Sequence, residues 1–295
     1  MKPEVVCVGV ITIDTIASVD RYPGEDERVI ADQIIRAGGG PAAVSAVTLA
    51  RQGISVAIVG TIGDDEDGRE ILRIFERENI DSSGVSVGSA PTGGSVIIAS
   101  REHHSRAIST RQPPIQSKPN SRAIELVSQA QWIHCDHVGI TQLQALGISR
   151  GTGPYISFDA GYGVETFDAA LVDLFVPTDR QMAARHPSLS LRQALEKDSR
   201  ESNNTVVATR GSLGSAAVRD GSFYEAEGFA VEVVSTLGAG DVFHGALVAQ
   251  IVQGRELSDC LRRANAVAAL SCLGLDGQSE IPTLSELDTY LEKNT

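Results

Sequence analysis

An aspartate closes a run of small residues in the C-terminal part of the chain, Ser235-Thr236-Leu237-Gly238-Ala239-Gly240-Asp241. Residues 229–234 before the run favour a strand, and apolar side chains recur at helical spacing from Val242 to Ile251 after it. Glycines in a loop that enters a helix let backbone N–H groups approach an anion. The carboxylate of Asp241 could then accept the proton of an attacking alcohol. The segment therefore suits phosphoryl transfer to a hydroxyl group.

The same residues also suit a purely structural role. Aspartate at the start of a helix is a common N-cap, and Gly-Ala-Gly is a common turn. From this loop alone, capping and catalysis are both open for Asp241. His244 lies one turn into the same predicted helix, where it could line a site or pack inside the fold.

Two further segments suit the binding of a hydroxyl-rich ligand. Gly9 ends the first predicted strand and Asp14 follows it, at the carboxyl edge of the sheet, where open α/β folds bind ligands. Asp14 could accept hydrogen bonds from two sugar hydroxyls, or serve as a loop residue or cap. Gly38-Gly39-Gly40 precedes Pro41 at the start of a helix. Such a run permits either a close approach of the backbone to a ligand or a plain tight turn.

A third segment suits nucleotide binding. Thr209-Arg210-Gly211-Ser212-Leu213-Gly214 follows a β-branched strand, so the Thr209 hydroxyl and the Gly211 amide could hold phosphates. A hairpin turn into a strand at 215–218 is the alternative. Neither the P-loop pattern nor the dinucleotide-binding Gly-x-Gly-x-x-Gly pattern after the first strand occurs, which excludes those two kinds of nucleotide site.

Strands and helices alternate along most of the chain. This predicts one α/β domain over residues 1–295, with a parallel sheet covered by helices on both faces. Two pairs of strands lack a helix between them and are typical of hairpins. We predict that these two insertions, at about 14–36 and 94–111, form a small antiparallel lid that needs cover from a ligand, a second subunit or both. The other predicted strands and helices are strands 5–10, 55–60, 132–134, 155–158, 174–176 and 205–209 and helices 41–52, 68–79, 142–146, 189–196 and 257–273.

Composition excludes several functional classes. The formal net charge is −13, and such a surface repels nucleic acid and anionic membranes. The four cysteines are widely spaced in apolar segments with no C-x-x-C pair, so we expect buried free thiols and no metal site. No apolar run reaches the ~18 residues of a membrane span, and the N-terminus lacks the pattern of a signal peptide. We therefore expect a cytoplasmic protein.

Taken together, these segments resemble the two signatures of the ribokinase-like (PfkB) carbohydrate kinases. The segments Gly38–Ala43 and Gly60–Gly68 resemble the first signature, and Gly238–Phe243 resembles the second. The likeness covers essentially the whole chain. It implies the ribokinase-like fold, a doubly wound and mostly parallel sheet with helices on both faces and a small antiparallel β lid.

The resemblance also implies a role for each matched residue. ATP is the implied phosphoryl donor, with Mg²⁺ bridging its phosphates, and Asp241 is the implied base that deprotonates a primary hydroxyl of the sugar. The other implied contacts are amides of Gly238, Ala239 and Gly240 to the developing charge, Thr209, Gly211, Gly214 and Asn265 to the nucleotide, and Asp14, Gly38 and Gly39 to sugar hydroxyls.

Three positions depart from the family pattern. Ala43 stands where the family usually has Asn, Gln181 where it usually has Glu, and Ser235 where it usually has Asp. These departures affect, in that order, one sugar contact, a water-mediated contact to magnesium and a site for potassium. The dependence on a monovalent cation is therefore open.

The favoured acceptor follows from the branch that the motifs resemble. They look most like the sulfofructose kinase and ketohexokinase branches, which implies a ketose. Arg28 and Arg111, in or near the lid, could meet an anionic group on the substrate or could be solvated surface residues. We therefore predict an ATP-dependent kinase of a small carbohydrate, with a ketohexose or a sugar acid favoured.

Two other functions are open on the same residues. The departures from the family pattern are compatible with a sugar-responsive binding protein that has lost catalysis, and a nucleoside kinase shares the implied fold. We also predict a homodimer through the lid, because the apolar stretch Val29–Ile35 needs cover.

Overall fold

The computed structural model describes residues 2–102, 105–114, 119–151, 153–161 and 166–294. His103 and His104, in the predicted turn of the second hairpin, lie outside these ranges. The strands within them are β1 Val5–Val8, β2 Thr12–Val19, β3 Ala31–Gly39, β4 Val56–Val59, β5 Thr61–Gly63, β6 Ser86–Gly88, β7 Gly94–Ser100, β8 Ser105–Arg111, β9 Trp132–Cys135, β10 Tyr155–Asp159, β11 Leu174–Val176, β12 Thr205–Thr209, β13 Ser215–Arg219 and β14 Ser222–Ala226. The helices are α1 Pro41–Arg51, α2 Glu66–Arg77, α3 Ser121–Gln129, α4 His137–Ala145, α5 Asp179–Arg185, α6 Leu191–Ser202, α7 Ala239–Val252, α8 Leu257–Ser271 and α9 Leu284–Lys293.

The main sheet has the order β14-β13-β12-β11-β10-β9-β1-β4. Strands from β4 to β12 in this order pair in parallel, and β12, β13 and β14 pair antiparallel at one edge. Strand β1 is buried throughout, as its uninterrupted apolar sequence predicts for a sheet covered on both faces. The doubly wound, mostly parallel α/β fold predicted from the sequence is confirmed.

Alternate residues of the parallel strands enter two separate cores, because successive side chains of a strand point to opposite faces. Val5 and Cys7 pack in the core that includes α1, α7 and α8. Val6 and Val8 pack in the core that includes α3, α4 and α6. The chain passes from β1 to β4 on one side and later returns to β9 on the other. The switch point of the sheet therefore lies between β1 and β9, where ligands of such folds bind.

The lid is a four-stranded sheet with the order β3-β2-β7-β8. Its two hairpins, β2–β3 and β7–β8, are antiparallel, and a parallel pairing of β2 with β7 joins them. One face carries Ile16 and Ile97, which are buried. The opposite face leaves Ile34 and Val96 69% and 58% exposed. The lid therefore has one covered and one apolar uncovered face.

Several sequence predictions differ from the structure. Residues 229–234 are not a strand, because this stretch leaves the sheet after β14 and the amides of Val234 and Ser235 donate to Cys272 O. The helix predicted at 142–146 begins at His137, because the preceding Asp136 caps it. Helices α3 and α9 were not predicted, although Asn120 and a Thr283–Glu286 capping box mark their starts.

All four cysteines are buried free thiols, as predicted. Within the described ranges, no helix combines the length and the apolar character that crossing a membrane requires.

Candidate active site

Helix α7 begins with an N-terminus that no side chain caps. Its N-cap residue, Gly238, has a φ of 72° and a ψ of −2°, a left-handed conformation that favours glycine. Asp241 lies in the first turn of the helix. A Cβ added to Gly240 would meet no atom within 4 Å, so the space in front of this turn is open. Ala239 N donates to Thr236 O at a long 3.4 Å, and no side chain caps the helix, so its N-terminus can offer amides to a ligand.

The loop before α7 is held in place by contacts at both ends. Ser235 Oγ accepts a hydrogen bond from Leu237 N at 3.2 Å. At the helix, Ser45 Oγ donates to the carbonyl oxygen of Asp241 at 2.9 Å, which ties α7 to α1. Gly245 allows these helices to approach closely, because an added Cβ would lie 2.7 Å from Ser45 O. The position of Asp241 therefore depends on the packing of α1 against α7.

A cavity of about 610 Å³ lies between the lid and the carboxyl edge of the sheet. Four carboxylates from four different elements line it: Asp14 of β2, Asp136 after β9, Asp159 at the end of β10 and Asp241 of α7. Its other walls include Ile97 and Ile108 on the inner face of the lid. The cavity thus joins the predicted sugar residue Asp14 to the predicted base Asp241.

Asp14 and Gly39 meet at the edge of this cavity, as their assignment to one ligand requires. Asp14 is buried, and its Oδ1 accepts a hydrogen bond from Ser95 N at 2.9 Å. Burial raises the pKa of Asp14, although bonds from Ser95 and Thr12 counteract this. A Cβ on Gly39 would lie 2.1 Å from Asp14 Oδ2, so only glycine fits beside the carboxylate. Gly38 lies on the other side of the strand, next to the side chain of Gln278.

Asp136 was missed by the sequence analysis. Its Oδ1 accepts hydrogen bonds from Val138 N and Gly139 N, both at 2.9 Å, and its Oδ2 accepts one from Val10 N at 2.6 Å. A Cβ on Gly9 would lie 2.2 Å from this carboxylate, which explains the glycine at the end of β1. A carboxylate directly after a parallel strand next to β1 was the available signal.

Asp241 is surrounded by charges that oppose its ionisation. Burial raises the pKa of Asp241 well above its usual value, and the neighbouring carboxylates Asp159 and Asp136 raise it further. Arg106 of β8 acts in the opposite direction. A carboxyl group with raised proton affinity is a stronger base when it is ionised, which suits the abstraction of a hydroxyl proton.

Two of the four predicted nucleotide residues, Asn265 and Gly214, contact the loop that follows β14. Asn265 of α8 donates from Nδ2 to Ala226 O at 3.0 Å and to Glu227 O at 3.1 Å. Gly214 packs against the same loop, since an added Cβ would lie 2.2 Å from Ala226 O. Thr209 ends β12 in the hairpin that the sequence left as an alternative, and Gly211 has open space beside it. Asn265 is therefore engaged in shaping this loop.

Three arginines in or near the lid, Arg28, Arg106 and Arg111, differ in the groups that they contact. Arg111 donates to Thr92 O from Nε at 2.9 Å and from Nη2 at 2.7 Å. Arg28 is exposed and, like Arg111, is not among the residues that line the cavity. Arg106, which the sequence analysis missed, donates from Nη1 to Thr236 Oγ1 at 2.8 Å and so links the lid to the loop before α7. Its place on a short, polar lid strand gave no sequence signal.

The three departures from the family pattern are accommodated by local structure. Ala43 is buried in α1. Gln181 completes a capping box with Thr178, and its Nε2 donates to Ala160 O at 2.6 Å. Ser235 acts as a local cap for Leu237 N. All three positions thus carry structural contacts made by the residues present.

The described residues contain no group of three or more His, Cys, Asp or Glu side chains arranged to hold a metal ion. Mg²⁺ commonly binds through one or two carboxylates together with nucleotide phosphates and water. The open glycine-lined space at α7 fits phosphate oxygens, so a magnesium ion would enter with the nucleotide.

Comparison with known proteins decides the family. The family model described as pfkB family carbohydrate kinase matches residues 2–284. The chain belongs to the pfkB family. Among curated relatives of this kinase, a ribokinase from Haemophilus influenzae is 26% identical over 318 residues, covering 99% of each chain. An ATP-dependent ribose-1-phosphate kinase from Halopiger xanaduensis is 26% identical, covering 98% of each chain.

A solved structure supports the fold of the pfkB kinase. The Arabidopsis thaliana ribokinase complexed with ribose and ATP superposes with a TM-score of 0.81 at 22% identity, covering 99% of each chain. The ribokinase-like fold and the assignment as an ATP-dependent carbohydrate kinase are thereby confirmed. The acceptors named for these relatives differ from one another.

Proposed function

We propose that this kinase transfers the terminal phosphoryl group of ATP to a hydroxyl of a small carbohydrate, with Asp241 as the general base. One observation carries the proposal. Asp241 faces the cavity from the first turn of α7, beside an N-terminus that no side chain caps. The proposed base and the helix amides that would bind the phosphoryl group therefore lie together, as transfer to an alcohol requires.

The step follows from this placement. Asp241 takes the proton of the acceptor hydroxyl while its oxygen forms a bond to the phosphorus and the bond to the ADP oxygen breaks. Amides of Gly238, Ala239 and Gly240 stabilise the charge on the transferred group. Mg²⁺, when bound with ATP, neutralises phosphate charge. The lid excludes water, so that ATP is not hydrolysed.

The acceptor that we favour is a ketohexose or a sugar acid. Asp14 offers a carboxylate to sugar hydroxyls, and Gly39 gives the room for it. Arg106 brings a positive charge to the loop before Asp241, which favours an acceptor with an anionic group. Contacts of Arg28 and Arg111 with the sugar stay predictions. For Arg111, such a contact requires that its hydrogen bonds to Thr92 O break.

An ATP-consumption screen tests the function. The panel contains ketohexoses, aldopentoses, sugar acids, sugar phosphates and nucleosides, and ADP formation is measured for each. We expect turnover with at least one carbohydrate and its loss in Asp241→Asn. Asp64→Asn is the matched control, because Asp64 is 85% exposed and should leave turnover unchanged. Turnover with nucleosides alone would instead make the protein a nucleoside kinase.

A binding protein without catalysis is the second candidate. It is favoured by Gln181, which stands where the family usually has Glu. The side-chain amide of Gln181 donates a hydrogen bond to Ala160 O. Calorimetry on the same panel separates the two functions. Sugar binding in the presence of Mg²⁺ and ATP, with no ADP formed from any bound ligand, would replace the kinase by this alternative.

A homodimer through the lid completes the proposal. Ile34, Val96 and Ile98 lie on the outer face of the lid, and the first two are mostly exposed. A second copy of the lid would cover this apolar face. Light scattering should give a dimer at micromolar concentration and a monomer for Ile34→Asp. Ile124→Asp, on α3 and 44% exposed, is the control that should stay dimeric. A monomeric wild type would contradict the dimer.

A further inference from the structure

Three buried side chains lie directly behind Asp241 and have no part in the step described above. Asp159 ends β10, His244 lies on the first turns of α7, and His134 lies on β9. They are 5%, 6% and 0% exposed, respectively. A buried carboxylate and two buried imidazoles beside the proposed base are costly to maintain, because buried polar and charged groups have lost their water.

The central contact is between Asp159 and His244. Nδ1 of His244 lies 2.8 Å from Oδ2 of Asp159. The same Nδ1 has no other hydrogen-bond partner among the described residues. Burial would raise the pKa of Asp159, but His244, with a smaller contribution from His134, lowers it overall. Asp159 is therefore held as a carboxylate.

His134 lies on the far side of this pair. Its ring centroid is 6.0 Å from that of His244, and its Nδ1 is 3.2 Å from Ser157 Oγ. Burial, with His244 nearby, lowers the pKa of His134 to about 3, so it is neutral at the pH of an assay. The imidazole at ion-pair distance from Asp159 is that of His244.

We propose that Asp159 and His244 are positioning residues that set the proton affinity of Asp241, Asp159 increasing it and His244 limiting the increase. Asp159 lines the same cavity as Asp241, and its negative charge opposes the ionisation of the base. His244 lies at ion-pair distance from Asp159 and, when protonated, neutralises part of that charge without lining the cavity. This inference depends on the proposed role of Asp241 as base.

Other titratable groups surround the pair. Asp136, with His137 beside it, faces Asp159 from the α4 side, and Arg106 faces Asp241 from the lid. Cys135 of β9 is a buried thiol whose pKa is raised by burial and by Asp136 and Asp159. None of these, among the described residues, lies at ion-pair distance from Asp159, whereas His244 does.

The test is the pH profile of kcat/KM, with the profile of kcat alongside it. The acid limb of the wild type reports ionisation of Asp241. In Asp159→Asn it should move to lower pH, and in His244→Asn to higher pH, each by about half a pH unit or more. The double variant should resemble Asp159→Asn, because His244 acts through Asp159. His134→Asn is the matched control, a buried neutral histidine that should leave the limb in place.

Two results would overturn the inference. One is a uniform fall in activity at every pH in both variants with the limb unmoved, which is what a merely structural role gives. The other is a shift of both variants in the same direction. If Asp159→Asn does not fold, as judged by thermal unfolding, a shift of the limb to higher pH in His244→Asn but not in His134→Asn decides the question. Full activity of Asp241→Asn would instead remove the proposed function itself.

Discussion

Two aspartates at the starts of two helices face the same cavity, and they use their positions in opposite ways. Asp136 precedes α4, and its carboxylate accepts three backbone hydrogen bonds, from Val10, Val138 and Gly139. Asp241 lies within the first turn of α7, whose N-cap is a glycine and which no side chain caps. One carboxylate is consumed by the backbone, whereas the other is available to a ligand.

The difference shows how the choice between cap and catalyst is made. An N-cap aspartate lies before the helix, where its oxygens reach the free amides behind it. Asp241 lies inside the helix, so its side chain leaves those amides open to an anion. Asp136 therefore shows the arrangement that Asp241 would have if it served as a helix cap. The position of the aspartate relative to the start of the helix decides which role is open to it.

The largest expected effect is on catalysis at α7. Asp241→Asn should lower kcat by ~10²–10⁴-fold, since general-base catalysis usually contributes that much. Its unfolding temperature should not fall, because the change removes a carboxylate whose ionisation Asp159 and Asp136 oppose. Steady-state kinetics and a thermal melt measure both. A folded variant with wild-type turnover would place the base elsewhere.

At α4, a substitution of the aspartate should lower stability more than activity. Asp136→Asn should cost about 1–3 kcal/mol of unfolding free energy, because the new amide cannot accept from all three backbone donors. Turnover of the folded fraction should fall much less than in Asp241→Asn. Urea unfolding measured beside kinetics checks this. If the loss of activity exceeded that of Asp241→Asn, the contrast between the two aspartates would fail.

The two aspartates also show how much of the candidate site could be predicted from the sequence. The glycines before Asp241 and the helical spacing after it predicted a loop that enters a helix, because both signals are local. The assignment of Asp241 as base came from the resemblance to the family. Asp136, Asp159 and Arg106 carry no such signal, since they reach the cavity only through the pairing of β9 and β10 and the closure of the lid. The pairing of strands that are distant in sequence depends on the whole sheet, so no single segment predicts it.

Long-range strand pairing also explains why some predicted secondary-structure elements were wrong. Residues 229–234 have strand composition, but the sheet already ends at β14 and offers them no partner. Strand propensity reports fit to a half-buried surface, not a preference of the backbone alone. By contrast, the strands of the parallel core were predicted nearly to their ends, because burial on both faces leaves a continuous apolar run.

A smaller effect should separate the stability of α7 from its function. Gly240→Ala places a methyl group in the open space before the helix, where no atom lies within 4 Å. Alanine suits a helix better than glycine by up to about 1 kcal/mol, so the protein should become slightly more stable. The same methyl group should obstruct phosphate and lower kcat/KM by about tenfold, equivalent to ~1.4 kcal/mol. Unchanged kcat/KM would mean that the anion binds elsewhere.

The smallest effect concerns the contact that positions Asp241. Ser45→Ala removes the hydroxyl that donates to the carbonyl oxygen of Asp241, and it should cost ~0.5–1.5 kcal/mol of unfolding free energy. Ser128→Ala is the matched control, because its hydroxyl makes a bond of the same length to Glu125 O on an exposed face of α3. If α1 positions the base, only Ser45→Ala should lower kcat. Equal behaviour of the two variants would show that the helix N-terminus keeps Asp241 in place without this contact.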